Sequence, residues 1–374
     1  MTIISFFIIL SYVALIGSFA YGFHKVPTFK NQTTAHKTTF SIIIPFRNEA
    51  ENLPQLLDSI KQLQYPSNLF EVLLVNDDSE DDSVDIINNF ITSSSLPVTL
   101  LNNNRMSPSP KKDAISTAIT KANNEWIITT DADCILPQLW LNTFDAFIQE
   151  NKVECIVAPV KYISQNNFLN TFQILDILSL QGATIGGFGI NKPFLCNGAN
   201  FAYKKTLFKA LNGFEGNNQT ASGDDIFFLE KTVKHNAKSV AYLKSKTIVI
   251  NTNAQPSWKS LISQRIRWAA KTSRYNNWFG KLTGSIVLLT NLFIVLAYSF
   301  TLMGTMTSQT LVYLLMIKFS IDLYLINKTA QFFNQREVMK FYVFGFIVYP
   351  FFCVYVALAS MVSTYQWKGR TFKT

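Results

Sequence analysis

The sequence predicts an α/β domain with a mostly parallel sheet and helices on both faces, plus transmembrane helices at the N-terminal and C-terminal ends. Between about residues 39 and 275, short apolar runs alternate with segments of helical periodicity, which is typical of such a sheet. Apolar runs long enough to cross a bilayer flank this region. Only 15% of the residues are charged, against about 25% in a typical soluble domain, which indicates that part of the chain lies in lipid.

Four predicted strands alternate with three predicted helices in the first part of the domain. The strands lie at 40–44, 70–75, 97–101 and 126–130, and the helices at 48–63, 83–90 and 112–123. The first helix carries Leu53, Leu56 and Leu57 at helical spacing. Two acidic clusters, at 76–82 and 131–133, directly follow strands. Because ligands of such sheets bind at the carboxyl ends of the strands, the two clusters predict one site.

The first apolar run, residues 2–23, is uncharged and long enough to span a bilayer. A cleaved signal peptide is the alternative, but no basic residue precedes the run, and the run is long for a signal's apolar core. Lys25 and Lys30 follow it, so the positive-inside rule places the next domain in the cytosol. We therefore predict an anchor over 1–24 in a multi-pass protein of the cell (inner) membrane, with the α/β domain cytosolic.

Three further segments predicted to lie in the membrane are 282–303, 309–327 and 341–363. The middle one carries Lys318 and Asp322 at a spacing that lets the two charges neutralise each other on one helix face. Three full spans from a cytosolic domain would put the C-terminus outside, whereas the basic tail at 367–370 is typical of the cytosolic side. An interfacial or re-entrant segment would reconcile the two signals, so the number of spans stays open.

Composition argues against several other classes of protein. The net charge of +9 would suit a nucleic-acid binder, but much of the excess lies beside apolar stretches, which fits a membrane surface or an anionic ligand better. We therefore expect no nucleic-acid partner. The four cysteines lack paired spacing, which predicts neither a disulfide framework nor a zinc knuckle. With only three histidines, a histidine-rich metal site is not expected.

Asp131 and Asp133 form the sharpest local motif. Two carboxylates one residue apart at a strand end can both reach a hard cation such as Mg²⁺, which typically takes one or two carboxylates plus substrate phosphates. A nucleotide diphosphate that leaves during a reaction needs the positive charge of such a cation to stabilise it. An isolated D-x-D pattern also occurs in solvated turns, so the preceding strand and the other motifs carry the metal interpretation.

Three more places are candidates for donor contacts or catalysis. Asp77 can accept a hydrogen bond from a uracil imide, or serve as a turn or helix cap. Lys111 can meet a donor phosphate, or be a solvated loop lysine. Asp224 and Asp225 begin a predicted helix and face different ways. One of them is therefore the candidate general base for an acceptor hydroxyl, with a capping role as the alternative.

Gln264, Arg267 and Trp268 share one face of a predicted amphipathic helix that precedes the C-terminal membrane segments. Arginine binds pyrophosphate in a forked geometry, and tryptophan stacks on sugars. The alternative is an interfacial helix with snorkelling arginines and an aromatic anchor.

The order of these motifs resembles the family 2 glycosyltransferases, in the membrane branch that includes cellulose, hyaluronan and ceramide-glucosyl transferases. The resemblance extends over about residues 38–275. Segment 41–49 is similar to the family's opening strand and nucleotide loop. Val75–Ser79 resembles V-D-D-G-S, with Asn76 and Asp78 replacing the first Asp and the Gly. The later motifs are Lys111-x-x-Ala114-Ile115, Asp131-Ala132-Asp133, Gly223-Asp224-Asp225 and Gln264-Arg265-Ile266-Arg267-Trp268, which resemble G-K-x-x-A-L, the metal motif, G-[DE]-D and Q-[QR]-x-R-W.

The resemblance implies a GT-A fold and an inverting, hexosyltransferase-type reaction from a UDP-sugar donor to a lipid-linked or saccharide acceptor. Asp225 would be the base, and Mg²⁺ or Mn²⁺ on Asp131 and Asp133 would hold the departing UDP. The residues implied to bind the donor, or to line its acceptor end, are Pro45, Asn48, Glu49, Asp77, Lys111, Asp131, Gln264, Arg267 and Trp268.

The predicted organisation is an anchor (1–24), a cytosolic glycosyltransferase domain (38–255), an interfacial helix (256–280), C-terminal membrane segments (281–366) and a basic tail (367–374). Three or four candidate spans favour a single transfer over a processive polysaccharide synthase, which usually needs a polymer channel. A nucleotidyltransferase is an alternative class of enzyme, but it would need a glycine-rich nucleotide loop with basic residues near the N-terminus. Segment 45–49 does not have that composition. An inactive scaffold is the third alternative. The sugar, the acceptor and the oligomeric state stay open.

Overall fold

The computed structural model describes residues 2–30, 35–220, 222–271, 275–362, 365–367 and 370–372. Lys368 and Gly369 of the predicted basic tail lie outside the described residues. The chain forms two compact units. The α/β unit comprises Pro27–Ile163 and Leu195–Asn253, and the helical unit comprises Met1–Val26, Ser164–Phe194 and Ala254–Thr374.

Strands and helices alternate through the region 39–275, as the sequence predicts, and long helices flank that region. The strands are β1 (Phe40–Phe46), β2 (Phe70–Asn76), β3 (Val98–Asn102), β4 (Trp126–Thr129), β5 (Cys134–Ile135), β6 (Cys155–Val157), β7 (Val160–Tyr162), β8 (Phe201–Lys204), β9 (Val240–Tyr242), β10 (Ile250–Thr252), β11 (Tyr365–Trp367) and β12 (Arg370–Phe372). The α-helices are α1 (Thr2–Lys25), α2 (Leu53–Lys61), α3 (Ser83–Ser93), α4 (Pro110–Lys121), α5 (Trp140–Glu150), α6 (Phe168–Gly189), α7 (Lys205–Ala210), α8 (Asp224–Asn236), α9 (Trp258–Ala270), α10 (Trp278–Leu302), α11 (Ser308–Phe332) and α12 (Tyr342–Val362).

Parallel pairing dominates the main sheet of the α/β unit, whose strand order is β3-β2-β1-β4-β8-β6-β9. β1 runs parallel to β2 and β4, β2 to β3, and β6 to β9, while β8 is antiparallel to both of its neighbours. In register, Ile42 lies between Val72 and Ile128. All three side chains are fully buried, as expected where helices cover both faces. The mostly parallel sheet predicted from the sequence is confirmed.

The core of the α/β unit lies on both faces of this sheet. On one face, Ile42 and Ile44 of β1 pack in a cluster with apolar residues of α2, α3 and α5. Ile43 and Leu73 are buried outside this cluster, and α4 packs against β1 and β2. The alternation follows from the two-residue period of a strand, which sends successive side chains to opposite faces.

The first helix of the α/β unit begins later than the sequence predicts. The prediction of 48–63 is wrong at its start, because α2 begins at Leu53. Asn48 has a φ of 51°, a left-handed conformation that no α-helix accepts. Its backbone N–H binds Ser79 Oγ at 3.1 Å instead. Pro54 in the first turn fits a helix start, where its missing N–H is not needed.

In the part of the helical unit that the structure describes, four helices are long and apolar enough to cross a membrane. They are Ser5–Lys25, Trp278–Leu302, Ser308–Phe332 and Arg336–Val362. Such helices were predicted at both ends of the chain, and this is confirmed. The apolar helix α6 also belongs to this unit, although the sequence predicts its residues inside the domain at 38–255. β11 and β12 pair as antiparallel strands.

Close backbone contact joins α1 to α6 within the helical unit. A Cβ added to Gly186 would clash with the backbone of Phe19, and a Cβ added to Gly189 would clash with the backbone of Gly22. Small residues permit such close approach between apolar helices. The N-terminal helix is therefore an integral part of this unit.

A buried charge cluster ties α1 to α11 and α12. Lys318 is 1% exposed and lies 2.7 Å from Asp322 Oδ2. Tyr12 donates a 2.7 Å hydrogen bond to Asp322 Oδ1. The rings of Tyr12 and Phe346 lie 5.2 and 5.1 Å from the Lys318 ammonium. The Lys318–Asp322 ion pair expected from the sequence spacing is present, and the two buried charges neutralise each other.

Candidate functional site

Asp77 directly follows the carboxyl end of β2, beside polar residues that follow the neighbouring strand β3. Its side chain is buried, and its Oδ1 accepts a 2.7 Å hydrogen bond from the Asn103 amide. Arg105 Nη1 lies 3.6 Å from the same oxygen. Neither Asn103 nor Arg105 was singled out from the sequence. Their position just after β3 is the signal that could have found them, because polar residues at strand ends line such sites.

The loops after β1 and β2 are joined to each other beside Asp77. Asn48 Oδ1 accepts from the Glu80 N–H at 2.8 Å, and the Glu49 N–H donates to Ser83 Oγ at 2.9 Å. Arg47 donates to the Asp77 carbonyl at 2.8 Å. The predicted residues Asn48 and Glu49 thus hold the two loops together through backbone and amide contacts.

Pro45 lies in β1 beyond the last residue that pairs with β4. β1 continues beside β2 as far as the Phe46–Asn76 pair. Its pairing with β4 ends at Ile43 and Thr129. A proline has no N–H to contribute to a ladder, so it suits the strand end where pairing with β4 has stopped. The end of the pairing between β1 and β4 thus lies just before Pro45 and Asp131, two of the predicted site residues.

Lys111 joins two of the predicted acidic motifs. It stands in the first turn of α4, and its Nζ lies 2.6 Å from Asp131 Oδ1 and 3.4 Å from Asp224 Oδ2. Burial by itself lowers the pKa of the Lys111 ammonium, but the carboxylates of Asp131 and Asp224 outweigh it and raise the pKa above its ordinary value. Lys111 is therefore protonated at neutral pH and is not a solvated loop lysine.

Asp225 is fixed by two backbone N–H groups. Its Oδ2 accepts from Gly198 at 3.0 Å, and its Oδ1 accepts from Ile226 at 2.7 Å. A Cβ added to Gly198 would lie 3.1 Å from Asp224 Oδ2. A side chain at position 198 would therefore require the Asp224 carboxylate to shift by a few tenths of an ångström. The structure brings together Lys111, Asp131, Asp224 and Asp225, all within the α/β unit.

Comparison with known protein families decides the class of this domain. The model of the glycosyl transferase family 2 matches residues 41–211. The chain contains a family 2 glycosyltransferase domain. The match includes β1 to β8 and the residues Asp77, Lys111, Asp131 and Asp133, while Asp224 and Asp225 follow it.

Curated proteins that are similar in sequence include two with long matches to this chain. The probable glycosyltransferase YdaM of Bacillus subtilis is 24% identical over 234 residues, 61% of this chain and 54% of the relative. The chain thus spans about half the length of that relative. The poly-beta-1,6-N-acetyl-D-glucosamine synthase of Staphylococcus epidermidis is 22% identical over 276 residues, 70% of this chain and 62% of the relative.

A solved structure shares the fold. The mannosyltransferase PcManGT from Pyrobaculum calidifontis, in complex with GDP-Man and Mn²⁺, superposes with a TM-score of 0.58. It covers 94% of this chain and 96% of its own, at 18% sequence identity. The predicted GT-A-type fold is confirmed by this likeness and by the family match.

The side chains at the strand end fit a divalent cation that arrives with phosphates. Among the residues that the structure describes, no three His, Cys, Asp or Glu side chains group as a metal site. Asp131 and Asp133 offer the hard oxygen atoms that Mg²⁺ and Mn²⁺ prefer, and one or two carboxylates are enough when phosphates complete the shell. The Lys111 ammonium at Asp131 is a stand-in that shows this carboxylate binding a positive group.

The local field around Asp133 is negative. Asp133 is half-buried, and the thiol of Cys134 lies 3.7 Å from its Oδ1. Burial, followed by the charges of Asp133 and Asp131, raises the pKa of the Cys134 thiol well above its ordinary value. Cys134 is therefore neutral near pH 7, and the carboxylates alone supply negative charge there.

Gln264, Arg267 and Trp268 lie on α9, in the helical unit. Two of them contact a residue that the sequence did not single out. Arg265 donates to Gln264 Oε1, and its guanidinium lies 4.2 Å from the centre of the Trp268 ring. Arg265 is buried and donates to Asp176 Oδ2 at 2.7 Å. Arg267 is half-buried. The roles of Gln264, Arg267 and Trp268 toward donor and acceptor stay predictions.

Proposed function

We propose that the chain is a membrane-anchored inverting glycosyltransferase that moves a sugar from a UDP-sugar to a hydroxyl of a lipid or membrane-associated acceptor. One observation carries the proposal. Lys111 bridges Asp131 and Asp224 at the carboxyl end of the sheet, so the predicted metal motif and the predicted base motif belong to one site. The site lies within the α/β unit, which holds most of the residues, 41–211, that match the family 2 model.

The nucleotide would bind at the ends of β1, β2 and β3. Asp77 would accept from the uracil imide, and Arg105 and Asn103 would hold the Asp77 carboxylate in place through contacts of 3.6 and 2.7 Å. The loop carrying Pro45, Asn48 and Glu49 would close over the base. A buried carboxylate with two donors is positioned well for a hydrogen bond to a neutral N–H.

The donor diphosphate would lie beside Lys111 and the two carboxylates of the D-x-D motif. Asp131 and Asp133 would hold Mg²⁺ or Mn²⁺, which supplies positive charge against the departing UDP. When the donor binds, the Lys111 ammonium would contact a phosphate oxygen in addition to Asp131. An ammonium is a point charge, so it can bind a carboxylate or a phosphate.

Transfer needs a proton acceptor beside the acceptor hydroxyl. Asp225 would take the hydroxyl proton while the hydroxyl oxygen bonds to the anomeric carbon and the bond from that carbon to UDP breaks. The products are an inverted glycoside, UDP and protonated Asp225. Hydrogen bonds from Gly198 and Ile226 fix this carboxylate, which supports its role as a placed base.

The membrane part of the proposal rests on the helical unit. Four helices long enough to cross a bilayer would anchor the enzyme in the cell membrane, with Lys25 and Lys30 on the cytosolic side. An anchored enzyme meets lipid-linked acceptors at high local concentration. The α/β unit would then be cytosolic.

A processive polysaccharide synthase is the second candidate function. The similarity to the poly-beta-1,6-N-acetyl-D-glucosamine synthase, 22% over 276 residues, favours it. The length of the product separates the two: one added sugar supports single transfer, and a ladder of lengths supports polymerisation.

The decisive experiment measures nucleotide release by the full chain in membranes, with a panel of UDP-sugars and GDP-mannose, in Mg²⁺, Mn²⁺ or EDTA. We expect metal-dependent release from one UDP-sugar, reduced at least about a hundredfold in Asp225→Asn and strongly in Asp133→Asn. Asp82→Asn is the matched control, because Asp82 is exposed and makes no cap hydrogen bond. Release from no UDP-sugar, with membrane lipids present, would overturn the proposal.

A further inference from the structure

We propose that Lys112 is a positioning residue that holds the loop before α8 and thereby sets the place of Asp225. The inference rests on the proposed function, since it concerns the base of that same site. Lys111 and Lys112 are consecutive in the first turn of α4, and adjacent helical residues point in different directions. One lysine reaches the carboxylates, and the other reaches the loop.

The Lys112 ammonium is enclosed. The residue is 1% exposed. Its Nζ donates to the carbonyls of Asn217 at 2.6 Å and Thr220 at 2.8 Å. The ring of Phe227 in α8 lies 4.9 Å from the same nitrogen. Removing an ammonium from water is costly unless its N–H groups are used, so this lysine and its two carbonyls hold each other in a fixed arrangement.

The carbonyls that Lys112 binds belong to the segment that leads into Asp224 and Asp225. Asp225 is the second residue of α8, and its carboxylate accepts from the Gly198 N–H at 3.0 Å. Lys111, in the same helical turn, lies 3.4 Å from Asp224. The first turn of α4 therefore holds the entry to α8 from two sides, one through backbone carbonyls and one through a carboxylate.

A second lysine holds the other end of the same loop. Lys231 of α8 donates to the carbonyls of Gly213 at 2.7 Å and Leu211 at 3.2 Å. The loop between Gly213 and Thr220 contains the exposed residues Glu215, Gly216, Asn218 and Gln219. Lys231 uses the same chemistry on the same loop but does not bind the segment that enters Asp224. It therefore provides a matched control.

Loss of the Lys112 ammonium would leave two buried carbonyls without their donor and would release the entry to α8. The Asp225 carboxylate would then sample positions away from the acceptor hydroxyl. Asp77 and its partners stand at the other strand ends, so nucleotide binding would be kept. The inference thus predicts a loss in the chemical step rather than in donor affinity.

The test compares Lys112→Met with Lys231→Met in the full chain. For Lys112→Met we expect kcat for transfer to fall about tenfold or more, with the KM for donor and the Kd for UDP within about twofold. The acidic limb of its pH–rate profile should also move, since a displaced base has new neighbours. For Lys231→Met we expect kcat within about twofold, although protease cleavage between 215 and 219 rises in both variants.

Three outcomes would contradict the proposals, and they can be told apart. Equal kcat in Lys112→Met and Lys231→Met would overturn the role of Lys112 alone, as would a loss of UDP binding that matches the loss of kcat. Absence of transfer by the wild-type chain, from every donor, would overturn the proposed function and this inference with it. If Lys112→Met is not recovered folded, Lys112→Gln, which keeps an N–H donor, is judged by the same kcat and Kd criteria.

Discussion

The backbone N–H of Gly198 donates a 3.0 Å hydrogen bond to the carboxylate of Asp225. The Gly198 carbonyl also accepts from Thr129 Oγ1 at 2.8 Å, at the end of β4. One residue therefore links the sheet to the start of α8. These contacts make the turn at 197–200 part of the candidate catalytic site.

Gly198→Ala should impair transfer without abolishing donor binding. The new Cβ would lie 3.1 Å from Asp224 Oδ2, tighter than ordinary van der Waals contact, so the acidic pair must shift. A small displacement of a catalytic group lowers kcat by about tenfold or more. Steady-state kinetics with the best donor check this. Gly17→Ala is the control, because its Cβ would meet no atom within 4 Å. Equal kcat in the two variants contradicts the expectation.

Lys111→Met should move the acidic limb of the pH–rate profile to higher pH. Although burial opposes it, the nearby carboxylates raise the pKa of Lys111 above its ordinary value, so the wild-type lysine is charged throughout the neutral range. Without that charge, the carboxylate that acts as the base takes up a proton at a higher pH. The acidic limb of the profile should therefore move up by about one pH unit. Profiles of kcat/KM between pH 4.5 and 8 measure it. Lys111→Arg keeps the charge and should leave the limb in place.

Asp77→Asn should weaken nucleotide binding and leave kcat nearly unchanged. The substitution removes a buried carboxylate that binds Asn103 at 2.7 Å and, in the proposed function, the uracil imide. Losing a hydrogen bond to a charged group should weaken UDP binding about tenfold or more. Calorimetric titration with UDP measures this. The exposed Asp82→Asn serves as the control, and unchanged UDP affinity in Asp77→Asn would remove Asp77 from the donor site.

Lys318→Met should destabilise the helical unit more than a double substitution does. The single change leaves the carboxylate of Asp322 buried beside Tyr12 without its 2.7 Å partner. Breaking such a pair costs about 3–5 kcal/mol, whereas replacing both charges by apolar groups is often neutral. Thermal unfolding in detergent should therefore show a lower Tm for Lys318→Met than for Lys318→Met with Asp322→Leu. The exposed Lys340→Met is the control.

Features of this chain that depend on near neighbours in the sequence agree best with the sequence prediction. Apolar runs located β1 to β4, and the residues that follow them, such as Asp77 and Asp131, stand at strand ends as predicted. Where a segment's conformation depends on a distant partner, the prediction was wrong. Asn48 takes a left-handed φ of 51° because it binds Ser79 and Glu80 of another loop, and so α2 begins late.

The sequence by itself determined that strands and helices alternate, that carboxylates follow the strands, and that apolar helices lie at both ends, because periodicity and hydropathy are local properties. Only the tertiary structure decided that α6 belongs with the helical unit, that Arg105 lies beside Asp77, and that two consecutive lysines bind different partners. Those facts depend on contacts between residues far apart in the chain, which no local pattern encodes. The lysine pair illustrates the physical reason: Lys111 binds a carboxylate 20 residues away and Lys112 a carbonyl 105 residues away.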